Sequence, residues 1–149
     1  MEKTRAELEV EKYRSGSACS QAVLAAYAGY TGLDELTVHK LGTGFGGGMG
    51  RKQYTCGAVS GAVAVLSLRY GNEVKDDTDA KSKTYALVHD YIETVEGRLG
   101  SSSCRELLGV PTYTEEEHAE AKALDIFEKV CPDCITVACS ELEKILENE

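Results

Sequence analysis

The chain is poor in several residue types. It has two prolines, two phenylalanines, no tryptophan and three histidines among 149 residues. With so little proline and no Gly/Ser tract, nothing splits the chain into linked units, and one domain spanning residues 1–149 is expected at this length. Basic residues are scarce as well: 16 Lys and Arg face 25 Asp and Glu, a formal net charge of −9. Nucleic-acid binding needs a basic face, so that class is excluded. Long apolar runs are missing; the cleanest, Ala62 to Leu66, is far too short to span a bilayer. The opening MEKTRAELEV has no apolar h-region, so no secretory leader is read there and a cytoplasmic protein is expected. No stretch alternates with period 2 between hairpin turns, which leaves little room for a sheet. No fixed-period repeat is present.

What the chain does have is six cysteines and 15 glycines. Six cysteines are too few for a disulfide scaffold and more than a cytosolic helical protein needs. The charge is uneven. Residues 1–71 carry 8 basic and 6 acidic residues, residues 72–149 carry 8 and 19. The acidic half reads as the solvated face of C-terminal helices, so positive charge facing a ligand is expected from Arg51 and Lys52.

The remaining pattern is helical throughout. Thr4 to Arg14 reads as a polar first helix. Ser17 to Tyr30 follows, with Cys19, Ala22, Val23, Ala26, Tyr27 and Tyr30 on one face. Asp34 caps a short helix carrying Leu36 and Leu41. After a glycine-rich loop, Gly42 to Gly50, Thr55 is expected to cap an apolar helix from Cys56 to Tyr70. A helix from Asp77 to Leu99 carries the stripe Val88, Tyr91, Ile92, Val95 and Leu99. Ser103 with Glu106, and Thr114 with Glu117, are capping-box pairs that open two more helices, the second running toward Val130. Pro132 suits a first helical position, which makes Cys131 the expected N-cap of a last helix carrying Ile135, Cys139, Leu142 and Leu146. These segments predict an all-α, single-domain bundle of about six helices.

Four cysteines, Cys19, Cys56, Cys104 and Cys131, thus fall at expected helix starts, each leading an apolar stripe. A helix N-terminus offers unpaired N–H groups and partial positive charge, which stabilise a thiolate. Four such ends converging would suit redox thiols or a thiolate–metal centre. Taken singly, each cysteine reads better as a small core residue; it is the four together that point to shared redox or metal chemistry. Cys139, mid-helix on an apolar face, reads as core. Cys131-Pro132-Asp133-Cys134 is a C-x-x-C pair without the βαβ setting of a thioredoxin, so Cys134 is at most a helper. Ile135 follows Cys134 where covalent haem attachment needs His, so c-type haem is excluded.

Gly57 and Gly61 strip bulk from the first turns after Cys56, letting a neighbour or cofactor approach. Gly42-x-Gly44-x-x-Gly47 matches a dinucleotide fingerprint literally, but no strand precedes it and no βαβ unit surrounds it. The backbone of Gly46, Gly47, Gly48 and Gly50 could instead bind an anion or hydrogen-bond cluster sulfurs; a tight connection using positive φ is an equal reading. His39, His89 and His118 lie on separate segments without metal-ligand spacing.

These motifs together resemble a known family. Ala18-Cys19-Ser20-Gln21, the run Gly44 to Gly50, Cys56-Gly57-Ala58-Val59-Ser60-Gly61, Cys104-Arg105-Glu106 and Cys131-Pro132 are similar to the redox-active family named for its C-GCAxxG-C-C pattern. The resemblance covers nearly the whole chain and implies a redox role for Cys19, Cys56, Cys104 and Cys131. Cys134 and Cys139 lie outside the pattern. The expected function is therefore a redox protein whose four cysteines cycle between dithiol and disulfide or hold an iron–sulfur or other metal centre. A metal-binding or sensing module without turnover, and a helical interaction protein with packed cysteines, are the alternatives. The redox partner is unidentified, and a homo-oligomer is left open.

Overall fold

In the computed structural model, which describes residues 2–149, eight α-helices follow one another: α1 (Arg5–Arg14), α2 (Cys19–Ala26), α3 (Glu35–Leu41), α4 (Gly57–Tyr70), α5 (Thr78–Leu99), α6 (Cys104–Leu108), α7 (Glu115–Ala123) and α8 (Ile126–Glu147). The all-α expectation holds, with two more helices than about six. Among the described residues, the only bridge of strand type is an isolated antiparallel one between Thr55 and Ser103.

Local signals set most helix ends. Thr4 and Glu7 form a full capping box at α1, and Thr114 and Glu117 form another at α7. Ser103 accepts the Glu106 N–H at α6, but the Glu106 carboxylate turns away to accept the Ser101 hydroxyl, so only half the expected box exists. Gly100 and Gly109 close α5 and α6 with φ of 88° and 76°, left-handed backbone that glycine adopts without strain.

Three boundaries differ. Thr55 does not cap: α4 begins at Gly57 with Cys56 as its N-cap and no side-chain cap. α2 runs only from Cys19 to Ala26, with a separate 3-10 turn at Ala28–Tyr30, rather than from Ser17 to Tyr30. The third lies at the last helix. Cys131 does not cap a last helix. α7 ends at Ala123, the chain turns at Leu124 and Asp125, and α8 runs unbroken through Cys131 and Pro132. Asp125, in left-handed backbone at φ 61°, makes the turn. Proline removes the hydrogen bond to Glu128 O and crowds that carbonyl. The helix continues because its apolar face, Cys134, Ile135, Ala138, Cys139, Leu142 and Leu146, is buried against the core on the far side. Tertiary burial outweighs the local proline penalty here.

The core lies between α2, α4, α5 and α8. Val23, Leu24, Tyr27, Val59, Val65, Leu66, Val95, Ile135 and Leu142 are fully enclosed. Each large side chain among them contributes about 1.5–3 kcal/mol of burial. Tyr91 is buried as well and donates its hydroxyl to Ala138 O at 2.8 Å, tying α5 to α8. Cys139 is fully buried, as its stripe implied. The short α3 capped by Asp34 is present, and on it Val38 is buried while Leu36 is 84% exposed. On a single two-turn helix the apolar pattern is too short to determine a face.

Two glycines bring α2 against α4. A Cβ on Gly61 would lie 2.9 Å from Ser20 O, and one on Gly57 would lie 2.6 Å from Cys19 Sγ. Such separations are well inside van der Waals contact, so α2 packs this closely only because those positions lack side chains. The space that Gly57 and Gly61 free is filled by Ser20 and Cys19.

Candidate functional site

The site starts where residues 53–56 run beside residues 102–105. Cys56 N–H donates to Ser102 O at 2.7 Å, Cys104 N–H to Tyr54 O at 2.6 Å, and Arg105 N–H to Gln53 O at 3.1 Å. This short pairing sets Cys56 and Cys104 side by side, at the starts of α4 and α6. Cys19, first residue of α2, comes in over Gly57. Cys131 and Cys134, one turn apart on α8, close the group from the opposite side. Five of the six cysteines therefore meet at one end of the bundle, all of them as free thiols. Three sit at helix starts; Cys131 and Cys134 do not.

The five differ in access. Cys19, Cys104 and Cys131 line a cleft of about 910 Å³. Cys56 and Cys134 are buried, at 7% and 3% exposure.

They also differ in acidity. Cys56 is the N-cap of α4. A hydrogen bond from Cys134 and the N–H groups of Ala58 and Val59 hold its thiol below the ordinary range, against the opposing effect of burial. The partner moves the other way: donating that hydrogen bond, together with burial, pushes the Cys134 thiol far up. When the pair loses a proton, the charge falls on Cys56, where the Cys134 hydrogen bond and the helix end favour it. Around it, burial raises the other thiols, and the Cys56 charge raises them further: Cys19 strongly, Cys104 to about 12 and Cys131 to about 11. The Tyr13 hydroxyl donates to the Cys131 sulfur and offsets part of that rise. Cys56, lowered to about 7, is thus the most acidic thiol of the group.

The glycine-rich segment forms one wall. Gly47, Gly48, Met49, Gly50 and Arg51 all have φ between 56° and 70°, a run of left-handed backbone. Such conformations occur as single residues far more often than as runs, and each non-glycine member costs about 1–2 kcal/mol. Gly48 has to be glycine for a second reason: a Cβ there would meet Gln53 Cα at 2.6 Å and Cys104 Cβ at 2.8 Å. Buried Gln53, itself at φ 56°, clamps the segment by donating to Val110 O at 2.9 Å and accepting Thr112 N–H at 2.8 Å. The N–H groups of Gly50, Gln53 and Tyr54 are spent on Gly46, Gly47 and Gly48 carbonyls. Gly46, Gly47 and Gly50 border the cleft; Gly48 packs behind Cys104.

Could a metal centre fit? A single zinc bound by thiolates at about 2.3 Å needs sulfurs about 3.8 Å apart. Among the described residues the one set of three ligand atoms within 4.8 Å of one another is the exposed His89, Asp90 and Glu93, not the cysteines. The sulfurs as placed are too spread for one ion. Four thiols from four chain segments, three partly exposed and Cys56 buried, match the donor chemistry of a multi-iron cluster.

The structure brings Cys19, Cys56, Cys104 and Cys131 together and puts Arg51 on the cleft wall; Lys52, expected beside it, lies outside the cleft over the Tyr54 ring. Sequence reasoning missed Tyr13, His118 and Lys122, which join the cleft from α1 and α7. No local pattern marks them, because their roles come from helices packed far along the chain. His89 is an exposed surface residue paired with Glu93 at 3.2 Å.

Among known proteins, no curated sequence and no solved structure matches this chain. Residues 17–145 match the family described as "Putative redox-active protein (C_GCAxxG_C_C)", from just before Cys19 to beyond Cys131. The chain belongs to that redox-active C_GCAxxG_C_C family.

Proposed function

We propose that the chain is a thiol–disulfide redox protein in which Cys131 attacks, Cys134 resolves and Cys56 serves as the base. What supports this is the hydrogen-bonded Cys134 thiol and Cys56 thiolate lying directly behind a cleft-facing Cys131. Cys131, losing its proton to solvent, attacks one sulfur of a disulfide R–S–S–R. That S–S bond breaks, a Cys131–S–S–R bond forms, and RS⁻ leaves and takes up a proton. Cys134 then passes its proton to Cys56 and attacks the Cys131 sulfur. The second RS⁻ leaves, and a Cys131–Cys134 disulfide remains. Two electrons reach the substrate, and the negative charge moves from Cys56 to the second product. Cys19 and Cys104 sustain the thiol-rich wall. Because Cys134 lies outside the family pattern, this scheme belongs to this chain.

A second reading uses the four pattern cysteines instead. Cys19, Cys56, Cys104 and Cys131 would hold an iron–sulfur cluster, with the Gly46–Gly50 backbone beside it; it is favoured by the spread of the sulfurs, too wide for one ion. The cluster would supply one-electron transfer. In either case a reducing compartment such as the cytoplasm suits six free thiols. Among the described residues no helix is long and apolar enough to cross a membrane.

Incubation with a small disulfide, followed by peptide mapping, tests the thiol reading. Wild type should yield a Cys131–Cys134 bridge, and Cys134→Ser should stop at a trapped mixed disulfide on Cys131. Cys134→Ser turning over like wild type sinks the scheme. Anaerobic protein with visible charge-transfer absorption and stoichiometric iron, lost in Cys19→Ser and Cys104→Ser, would replace it with the cluster.

A further inference from the structure

The cleft over the thiols is charged unlike the rest of the molecule. The chain carries −9 overall, yet Arg14, Arg51 and Lys122 line the cleft against Asp125 and Glu128. Arg14 is committed to Glu128 at 2.8 Å. Among the described residues, Arg51 and Lys122 take part in none of the ion pairs. Two uncommitted cations thus face one uncommitted carboxylate, Asp125.

Arg51 is held there at a conformational cost. It ends the left-handed run, and its stem lies over Gly47, where a Cβ would meet Arg51 Cγ at 3.2 Å. Strained backbone persists where the surroundings enforce it, and here it presents a cation to the cleft. Lys122 comes from α7, on the same helical face as His118 four residues earlier. The His118 ring packs on Phe127 with centroids 4.8 Å apart, and both Arg51 and Lys122 lie close enough to depress its basicity, after burial. The cations from two distant segments therefore gather near His118 in the cleft that Cys19, Cys104 and Cys131 also line.

We infer that the cleft takes a small disulfide bearing carboxylates, which Arg51 and Lys122 hold while its sulfur meets Cys131. This rests on the thiol reading above. A cleft of about 910 Å³ is in the range of small-molecule sites, and an inorganic oxyanion would leave most of it to water. The exchange is the one already written, with R–S–S–R carrying the carboxylates.

Two measurements test it. Initial rates of thiol exchange are compared for oxidised glutathione, which carries carboxylates, and cystamine, which carries ammonium groups. At low ionic strength wild type should favour oxidised glutathione by about tenfold, as local steering allows. Arg51→Asn, a residue tolerant of left-handed backbone, combined with Lys122→Gln should abolish the preference, while Arg51→Lys should keep most of it. Separately, calorimetry should record oxidised glutathione binding to Cys131→Ser, and its loss in the double charge variant. Equal rates for both disulfides in wild type overturn the inference and leave the thiol reading standing. Charge-dependent binding without any exchange sustains the anion site and overturns the thiol reading. No binding to Cys131→Ser overturns the inference.

Discussion

Replacing Gly57 by alanine isolates the contact that sets Cys19 against Cys56. In an unobstructed helix, Gly→Ala stabilises by about 0.5–1 kcal/mol, because alanine loses less backbone freedom on folding. Gly97 in α5 is such a place, with nothing within 4 Å of an added Cβ. At Gly57 the Cβ would stand 2.6 Å from Cys19 Sγ and 3.2 Å from both Phe45 O and Ser20 N. Carbon and sulfur require about 1 Å more than that, given optimal contacts of about 3.5–4.0 Å. Backbone atoms of Phe45 and Ser20 crowd the added Cβ as well, so turning the Cys19 side chain aside does not relieve the clash. Overpacking of this kind costs about 1–3 kcal/mol, which outweighs the gain in propensity. Urea unfolding under reducing conditions should therefore give opposite signs for the same substitution, Gly97→Ala more stable and Gly57→Ala less stable by about 1–2 kcal/mol. Moving α2 away also weakens the field that Cys56 exerts on Cys19, so Cys19 alkylation in Gly57→Ala should speed up at neutral pH. If Gly57→Ala is as stable as wild type and its thiols react unchanged, the close approach of α2 and α4 is not what organises the site.

Three further predictions concern charge and clamping. Stability should fall at alkaline pH: thiols whose folded pKa is raised, such as Cys131 (about 11) and Cys104 (about 12), keep protons that the unfolded chain releases near about 8.5. Each such thiol removes about 1.4 kcal/mol per pH unit above that point. Cys56 acts in the opposite sense, since its thiolate stabilises above the unfolded pKa and that share is lost as pH falls through about 7. A thermal melt series from pH about 7 to 10 that shows no decline refutes this. Glu9 on α1 is buried, its Oε2 has no partner, and burial raises its carboxyl above the usual range despite Lys12 at 3.3 Å. A raised folded pKa means stability is lost as pH climbs through it, so Glu9→Met should raise the urea midpoint at neutral pH, worth about 1 kcal/mol, and flatten that slope. Gln53→Ala removes both clamp hydrogen bonds and orphans the buried Thr112 N–H; it should cost about 2–4 kcal/mol and speed hydrogen exchange at Thr112.

Much of this protein was legible in its residues. The periods of Val59 to Leu66 and of Ile135 to Leu146 call for buried helix faces, and the Thr4, Asp34 and Thr114 caps stand where their helices begin. These features act within one or two turns, so the chain's own order encodes them. The grouping of Cys19, Cys56, Cys104 and Cys131 was read from helix starts and the family pattern; the helix-start ground holds for the first three and fails for Cys131, which lies inside α8. Pro132 misled, because a local rule for helix starts was overruled by the buried face of α8. The sequence by itself determined the all-helical class, the caps at Thr4, Asp34 and Thr114, and the glycines without which α2 could not close on α4. Only the tertiary structure decided that Cys134 donates to Cys56, that Tyr13 reaches Cys131, and that Arg51 and Lys122 line one cleft. Those contacts join residues far apart along the chain, and they exist only once the burial of α2, α4, α5 and α8 has settled where each helix end lies.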